Sequence, residues 1–190
     1  DYWWDTRNRK AYVFNPSDSS EEVKVLYDRN YQDIYSDPGS FLKKRNSFNK
    51  SVLMIHKGNA YLRGAGFSEE GQFPFIDKLN VSSLKKTRVY QSAYTDKLEN
   101  IQDYDPVKNE LIVRIESPSE FPNYYSRKTN SKRLTQITNF ENPFKELQNV
   151  KKQVITYKRA DGLELSGILY LPVNYDEEKK EKMPMILWAY

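Results

Sequence analysis

The chain has 190 residues, with 30 Lys and Arg against 26 Asp and Glu, one His and no Cys. Without cysteine these residues form no disulfide, thiolate zinc site or cysteine nucleophile, and a formal charge of +4 is too small an excess to mark a nucleic-acid-binding surface. No apolar run approaches the roughly 20 residues of a membrane-spanning helix, so no membrane span is expected.

Tyrosine is frequent (15) and glycine scarce (7), which suits amphipathic strands. The chain opens on Asp1, and "DYWWDTR" reads as strand already under way, so an upstream targeting signal is compatible with the sequence. Short aromatic or alternating runs then recur, separated by clusters of Asn, Asp, Ser, Gly and Pro, the punctuation of antiparallel β structure. Three stretches share one design: "AYVFNPSDSSEEVKVLYDRN", "PFIDKLNVSSLKKTRVYQSA" and "NYYSRKTNSKRLTQITNF". Each pairs an aromatic-bearing strand with a β-branched strand across a polar turn, and the spacing from Tyr12 to Tyr27 recurs from Phe75 to Tyr90. Such a hairpin period fits the four-stranded blades of a β-propeller, with "YQDIYSDPGSFLKKRN" as a loop inserted in one blade. A β-sandwich fits the same periodicity. Between the second and third hairpins, "NELIVRIES" alternates so that Leu111, Val113 and Ile115 face inward.

The repeat ends near "NFENPFKELQNVKK", where Asn142 and Pro143 break the strand and Pro143 to Lys152 predicts a short helical turn. Beyond it, "KKQVITYKRADGLELSGILYLP" predicts a hairpin turning at "ADG", with Leu163, Leu165, Leu169 and Leu171 alternating against polar neighbours. A charged loop, Val173 to Lys182, reads as solvated linker, and Met185 to Tyr190 reads as a strand buried on both faces.

The residues of a complete catalytic site are not found. No G-x-S-x-G turn occurs, and His56, the one histidine, precedes the final hairpin, so it reads as a strand or turn histidine. A lone histidine without cysteine leaves no metal site in prospect, and no cofactor is expected. Gly64 and Gly66 in "RGAG" lack the strand-to-helix setting of a phosphate loop and read as loop geometry; the sequons at Asn49 and Asn80 are common by chance. Arg114 and Arg127 are candidate partners for an acidic substrate side chain but read as solvated strand residues.

Taken in order, "YSDPGSF", "RIESPSEFPNYYSR", "YKRADGLELSGILYLPVNYD" and "MPMILWAY" resemble the prolyl-oligopeptidase family of serine peptidases, most closely its glutamyl peptidase branch. The resemblance covers nearly the whole chain. It implies a mainly β fold: residues 1–145 as C-terminal blades of a β-propeller, and residues 146–190 as the linker and first strands of an α/β-hydrolase catalytic domain. It also implies an oligopeptide substrate, a propeller that gates access to it, and a Ser, Asp and His triad lying after Tyr190. Tyr190 itself stands where many members place a tyrosine whose hydroxyl donates to the oxyanion, so it is the one candidate catalytic residue here. Residues that bind substrate are not identified. A piece of such a protein would expose strand edges and self-associate. The alternative is a self-standing β-rich module whose exposed Tyr, Trp and Arg bind peptide or glycan.

Overall fold

In the computed structural model, which describes residues 1–179 and 181–189, the chain is a succession of antiparallel strands. It divides into two units, Asp1–Phe140 and a second that starts at Glu141. Among the described residues the fold is mainly β, and its one helical element is a single 3₁₀ turn at Lys145–Leu147.

The first sheet is formed in chain order by β1 (Tyr2–Trp3), β2 (Asn8–Val13) and β3 (Lys24–Asn30). The next strands are β4 (Ser40–Phe41), β5 (Lys43–Arg45), β6 (Ser51–Leu53), β7 (Ile55–His56) and β8 (Asn59–Gly64). They are followed by β9 (Phe67–Ser68), β10 (Gly71–Gln72), β11 (Phe75–Asn80) and β12 (Lys86–Gln91). The second sheet runs β12-β11-β8-β4, with β7 also paired to β8, while β5–β6 and β9–β10 are small separate ribbons. The third sheet is a four-stranded meander of β13 (Leu98–Asp105), β14 (Glu110–Glu116), β15 (Asn123–Lys128) and β16 (Thr135–Gln136). All three predicted hairpins therefore form, as β2–β3, β11–β12 and β15–β16.

The polar punctuation works through side-chain acceptors. Asn15 Oδ1 accepts from Ser17 N in the first turn, and Asn80 Oδ1 accepts from both Ser82 N and Ser83 N in the second. Asp105 Oδ1 does the same for Val107 N and Lys108 N between β13 and β14, where Asn109 takes the left-handed conformation at φ 54°. These side chains imitate a backbone turn and tolerate positive φ, so they reverse the chain where a β-branched residue would resist.

The core lies between the second and third sheets. Leu42, Tyr61, Ile76 and Tyr90 meet Ile101, Tyr104, Leu111, Val113 and Ile115 in one apolar cluster. Tyr61 and Tyr104 meet edge to face with ring centroids 5.4 Å apart, an arrangement that rings prefer to a flat sandwich. The alternation of "NELIVRIES" is realised as expected, since Leu111 and Val113 are 0% exposed and Ile115 is buried beside them. No residue of the first sheet is buried.

In the second unit the 3₁₀ turn falls inside the predicted helical segment and leads to β17 (Lys151–Lys158), which pairs along its whole length with β18 (Glu164–Leu171). Gly162 carries the turn at φ 87°, a conformation that costs glycine least. The apolar run after it departs from expectation. Residues 183–189 form no strand, and Met185, Ile186, Leu187 and Trp188 are exposed, Ile186 at 96%. A strand buried on both faces needs a hydrogen-bonded neighbour and covering layers, and the described residues of this unit supply neither.

Candidate functional site

Tyr190, the candidate oxyanion donor, lies outside the described residues. His56 ends the short strand β7, half-buried, and the side-chain hydrogen bond that reaches it goes from Asn59 Nδ2 to its main-chain oxygen. Among the described residues no group of three or more His, Asp or Glu side chains could hold a metal ion. Chemistry is therefore concentrated in two polar features of the first unit, both where the second and third sheets meet.

The first is a buried ionic network. Glu99 on β13 is 0% exposed in its side chain and accepts from Arg127 Nη1 at 2.9 Å and from the Tyr90 hydroxyl at 2.5 Å. Arg127, 9% exposed, also donates from Nη2 to the Ser131 carbonyl, and its guanidinium lies 5.1 Å from the Tyr90 ring centroid. Its Nε is buried without a partner among the described residues. Burial first, then the hydrogen bond to Glu99, pushes the Tyr90 hydroxyl far above its ordinary range. Burial disfavours the Arg127 cation, but the hydrogen bond and charge of Glu99 outweigh it and leave the guanidinium more firmly protonated. Arg127 is thus not the solvated strand residue its sequence context suggests. It stands opposite Leu111 in the sheet and so shares that residue's inward face. Arg114 is partly buried and forks onto Glu116, at 2.7 and 3.0 Å. Neither arginine is left open for a substrate carboxylate.

The second feature is a cleft of about 300 Å³, lined by Ser40, Arg63, Gln72, Pro74, Asn100 and Gln102 among others. Its walls depend on close backbone approach. Gly64 ends strand β8 rather than lying in a loop, and a Cβ there would meet the Phe75 ring at 2.1 Å. Gly66, two residues on, holds φ 65° in the link to β9. On the opposite wall β13 carries a bulge, since Ile101 pairs with Val113 and Asp103 with Ile112, leaving Gln102 as the extra residue. Bulges re-aim side chains and recur beside functional sites. The Gln102 carbonyl and the Ile101 carbonyl, the latter at 3.1 Å, both accept from Arg63 Nη1. Sequence periodicity holds no trace of this cleft, because a bulge becomes visible only once strand register is known; the glycines of "RGAG" are its one sequence signal.

No family model matches the chain. Over 204 residues it is 31% identical to a protein of Oryza sativa subsp. japonica named probable glutamyl endopeptidase, chloroplastic, an alignment covering 99% of this chain and 22% of that protein. A protein of Arabidopsis thaliana with the same name is 30% identical over 203 residues, covering 99% of this chain and 21% of its own length. The chain thus spans about a fifth of the curated relatives it matches. Among solved structures, the AtxE2 isopeptidase with Astexin3-dC4 bound overlaps 90% of this chain and 25% of its own, at a TM-score of 0.37 and 12% identity. The same isopeptidase without ligand overlaps 72% of this chain at a TM-score of 0.35. By sequence, the chain is a relative of the peptidases of the prolyl-oligopeptidase family. More narrowly, both of the relatives that align along 99% of it carry the name probable glutamyl endopeptidase.

Proposed function

We propose that this chain is a segment of a serine peptidase that hydrolyses peptide bonds of oligopeptides. In this reading residues 1–145 are late blades of a β-propeller that gates access to the active site. Residues 146–190 are the linker and first strands of the α/β-hydrolase domain, and the Ser, Asp and His of the triad follow Tyr190 in the complete protein. The observation that carries the proposal is the alignment along 99% of the chain with two proteins named as glutamyl endopeptidases, of which it matches about a fifth. A five-stranded and a four-stranded sheet with a shared core support the blades, and the β17–β18 hairpin supports the start of a second domain. Because the relatives carry the name glutamyl endopeptidase, bonds following glutamate are the substrates to try first.

Within this reading Tyr190 donates its hydroxyl to the oxyanion of the tetrahedral intermediate, a bond made only as charge develops. In the complete protein Tyr190→Phe should lower kcat by roughly 10- to 1000-fold with little change in KM. An unchanged kcat would reduce Tyr190 to a packing residue. The 190-residue chain expressed alone should self-associate, since it exposes Val154, Ile168, Ile186 and Trp188. A monomer in light scattering that melts in one cooperative step would count against the segment reading.

A further inference from the structure

The cleft between the second and third sheets has the composition of a site rather than of a packing defect. Among the described residues Arg63 is its one cation, and no carboxylate lines it. Among the described residues Arg63 has no acidic partner; its two hydrogen bonds run from Nη1 to the main-chain carbonyls of Ile101 and Gln102. A guanidinium has five N–H donors in a fixed fork, so anchoring through Nη1 leaves the Nε and Nη2 edge to form two parallel bonds with a carboxylate. Gln72, Asn100 and Gln102 line the same cleft, and their side-chain amides have no hydrogen-bond partner among the described residues. Each such amide offers both a donor and an acceptor, which is what a peptide group requires. Its volume, about 300 Å³, is at the lower end of the range for ligand pockets.

We infer that this cleft is a subsite for the carboxylate end of a short peptide, with Arg63 pairing the C-terminal carboxylate and Gln72, Asn100 and Gln102 pairing the adjoining peptide groups. The inference rests on the peptidase reading for the choice of a peptide as ligand. One cation beside several neutral amides mirrors the order of a chain terminus, a single carboxylate followed by uncharged peptide groups. The bulge at Gln102 fixes the device: it turns two carbonyls toward Arg63, so the guanidinium is held before ligand arrives and little side-chain entropy remains to be lost on binding. An acidic side chain offers the same carboxylate chemistry, and the peptides used in the test separate the two sources.

The test uses the complete protein, treated with a fluorophosphonate to stop turnover, and fluorescence anisotropy of a labelled tetra-alanine in three forms. These are the free acid, the C-terminal amide, and the C-terminal amide with one internal aspartate. The acid should bind about tenfold or more tightly than the plain amide, as expected of a charge-assisted fork, and the aspartate-bearing amide should bind like the plain amide. Arg63→Gln should abolish the preference for the acid. Asn100→Phe, which places a ring in the cleft, should weaken binding of the acid at least as much, and it decides the matter if Arg63→Gln does not fold. Equal binding of acid and amide, or a preference that survives Asn100→Phe, overturns the inference. Tight binding of the aspartate-bearing amide overturns the C-terminus as its source. A failure of the peptidase reading appears separately, as absence of fluorophosphonate labelling.

Discussion

Strand β14 of the third sheet and strand β18 of the β17–β18 hairpin are of similar length and similar alternation, yet they differ in what they bury. In β14 the residues Leu111, Val113 and Ile115 are sealed against a second layer that includes Ile76 and Tyr90. In β18 the same alternation makes Leu165, Leu169 and Leu171 only half-buried, and every residue of β17 is exposed. The difference shows that alternation assigns residues to faces, whereas stability comes from the layer that covers a face. A hairpin whose faces are uncovered keeps its ladder but gains little from apolar burial.

Ionic pairs sharpen that comparison most. Glu99→Gln removes the charge facing a buried guanidinium and should cost about 3–5 kcal/mol, because Arg127 would be left buried without its counter-ion. In the hairpin, the Arg159–Asp161 pair stands in solvent, so Asp161→Asn should leave the melting curve nearly unmoved. Denaturant titration of both variants checks the contrast, and comparable losses would mean that the two units are equally packed.

Apolar truncation probes the same difference. Leu111→Ala should cost about 2–5 kcal/mol through lost burial and the cavity left behind. Ile168, 62% exposed and directly opposite Val154, should cost no more than about 0.5 kcal/mol when cut to alanine. A large loss at Ile168 would reveal a covering layer over the hairpin.

A third difference is one of pH. The Tyr104 hydroxyl is pushed up to about 12, by burial first and then by its neighbours Tyr61 and Asp105. Burial and the hydrogen bond to Glu99 raise Tyr90 as well. A tyrosine whose folded pKa exceeds its unfolded one gives stability that is whole below about pH 10 and is lost as pH rises toward the folded value. Unfolding free energy should therefore fall between about pH 10 and 12, by up to about 1.4 kcal/mol per pH unit for each such group. Tyr104→Phe should flatten part of that slope. An unaltered slope in the variant would show that other groups set it.

Much of this architecture was legible in the residues. The hairpins were visible because side-chain acceptors such as Asn80 and Asp105 act locally, within a few residues of the turn they close. The inward face of β14 was visible because its period is two. The burial of Arg127 is not legible for the opposite reason: its partner Glu99 lies on another strand, and no spacing within β15 announces a carboxylate beneath it. The cleft was hidden likewise, since it depends on the bulge at Gln102 and on Arg63 reaching between sheets. Met185 to Trp188 carried the composition of a buried strand, but composition does not supply the neighbours that bury one.

Labelling by a fluorophosphonate probe, read on a gel for the complete protein and for residues 1–190 side by side, tests the central claim most directly. Acyl transfer needs an activated serine with a base in hydrogen-bond reach, and the one histidine of these residues, His56, stands in a short strand of the first unit. The account predicts labelling of the complete protein and none of the 190-residue chain. Labelling of the 190-residue chain, or no labelling of the complete protein, would contradict it.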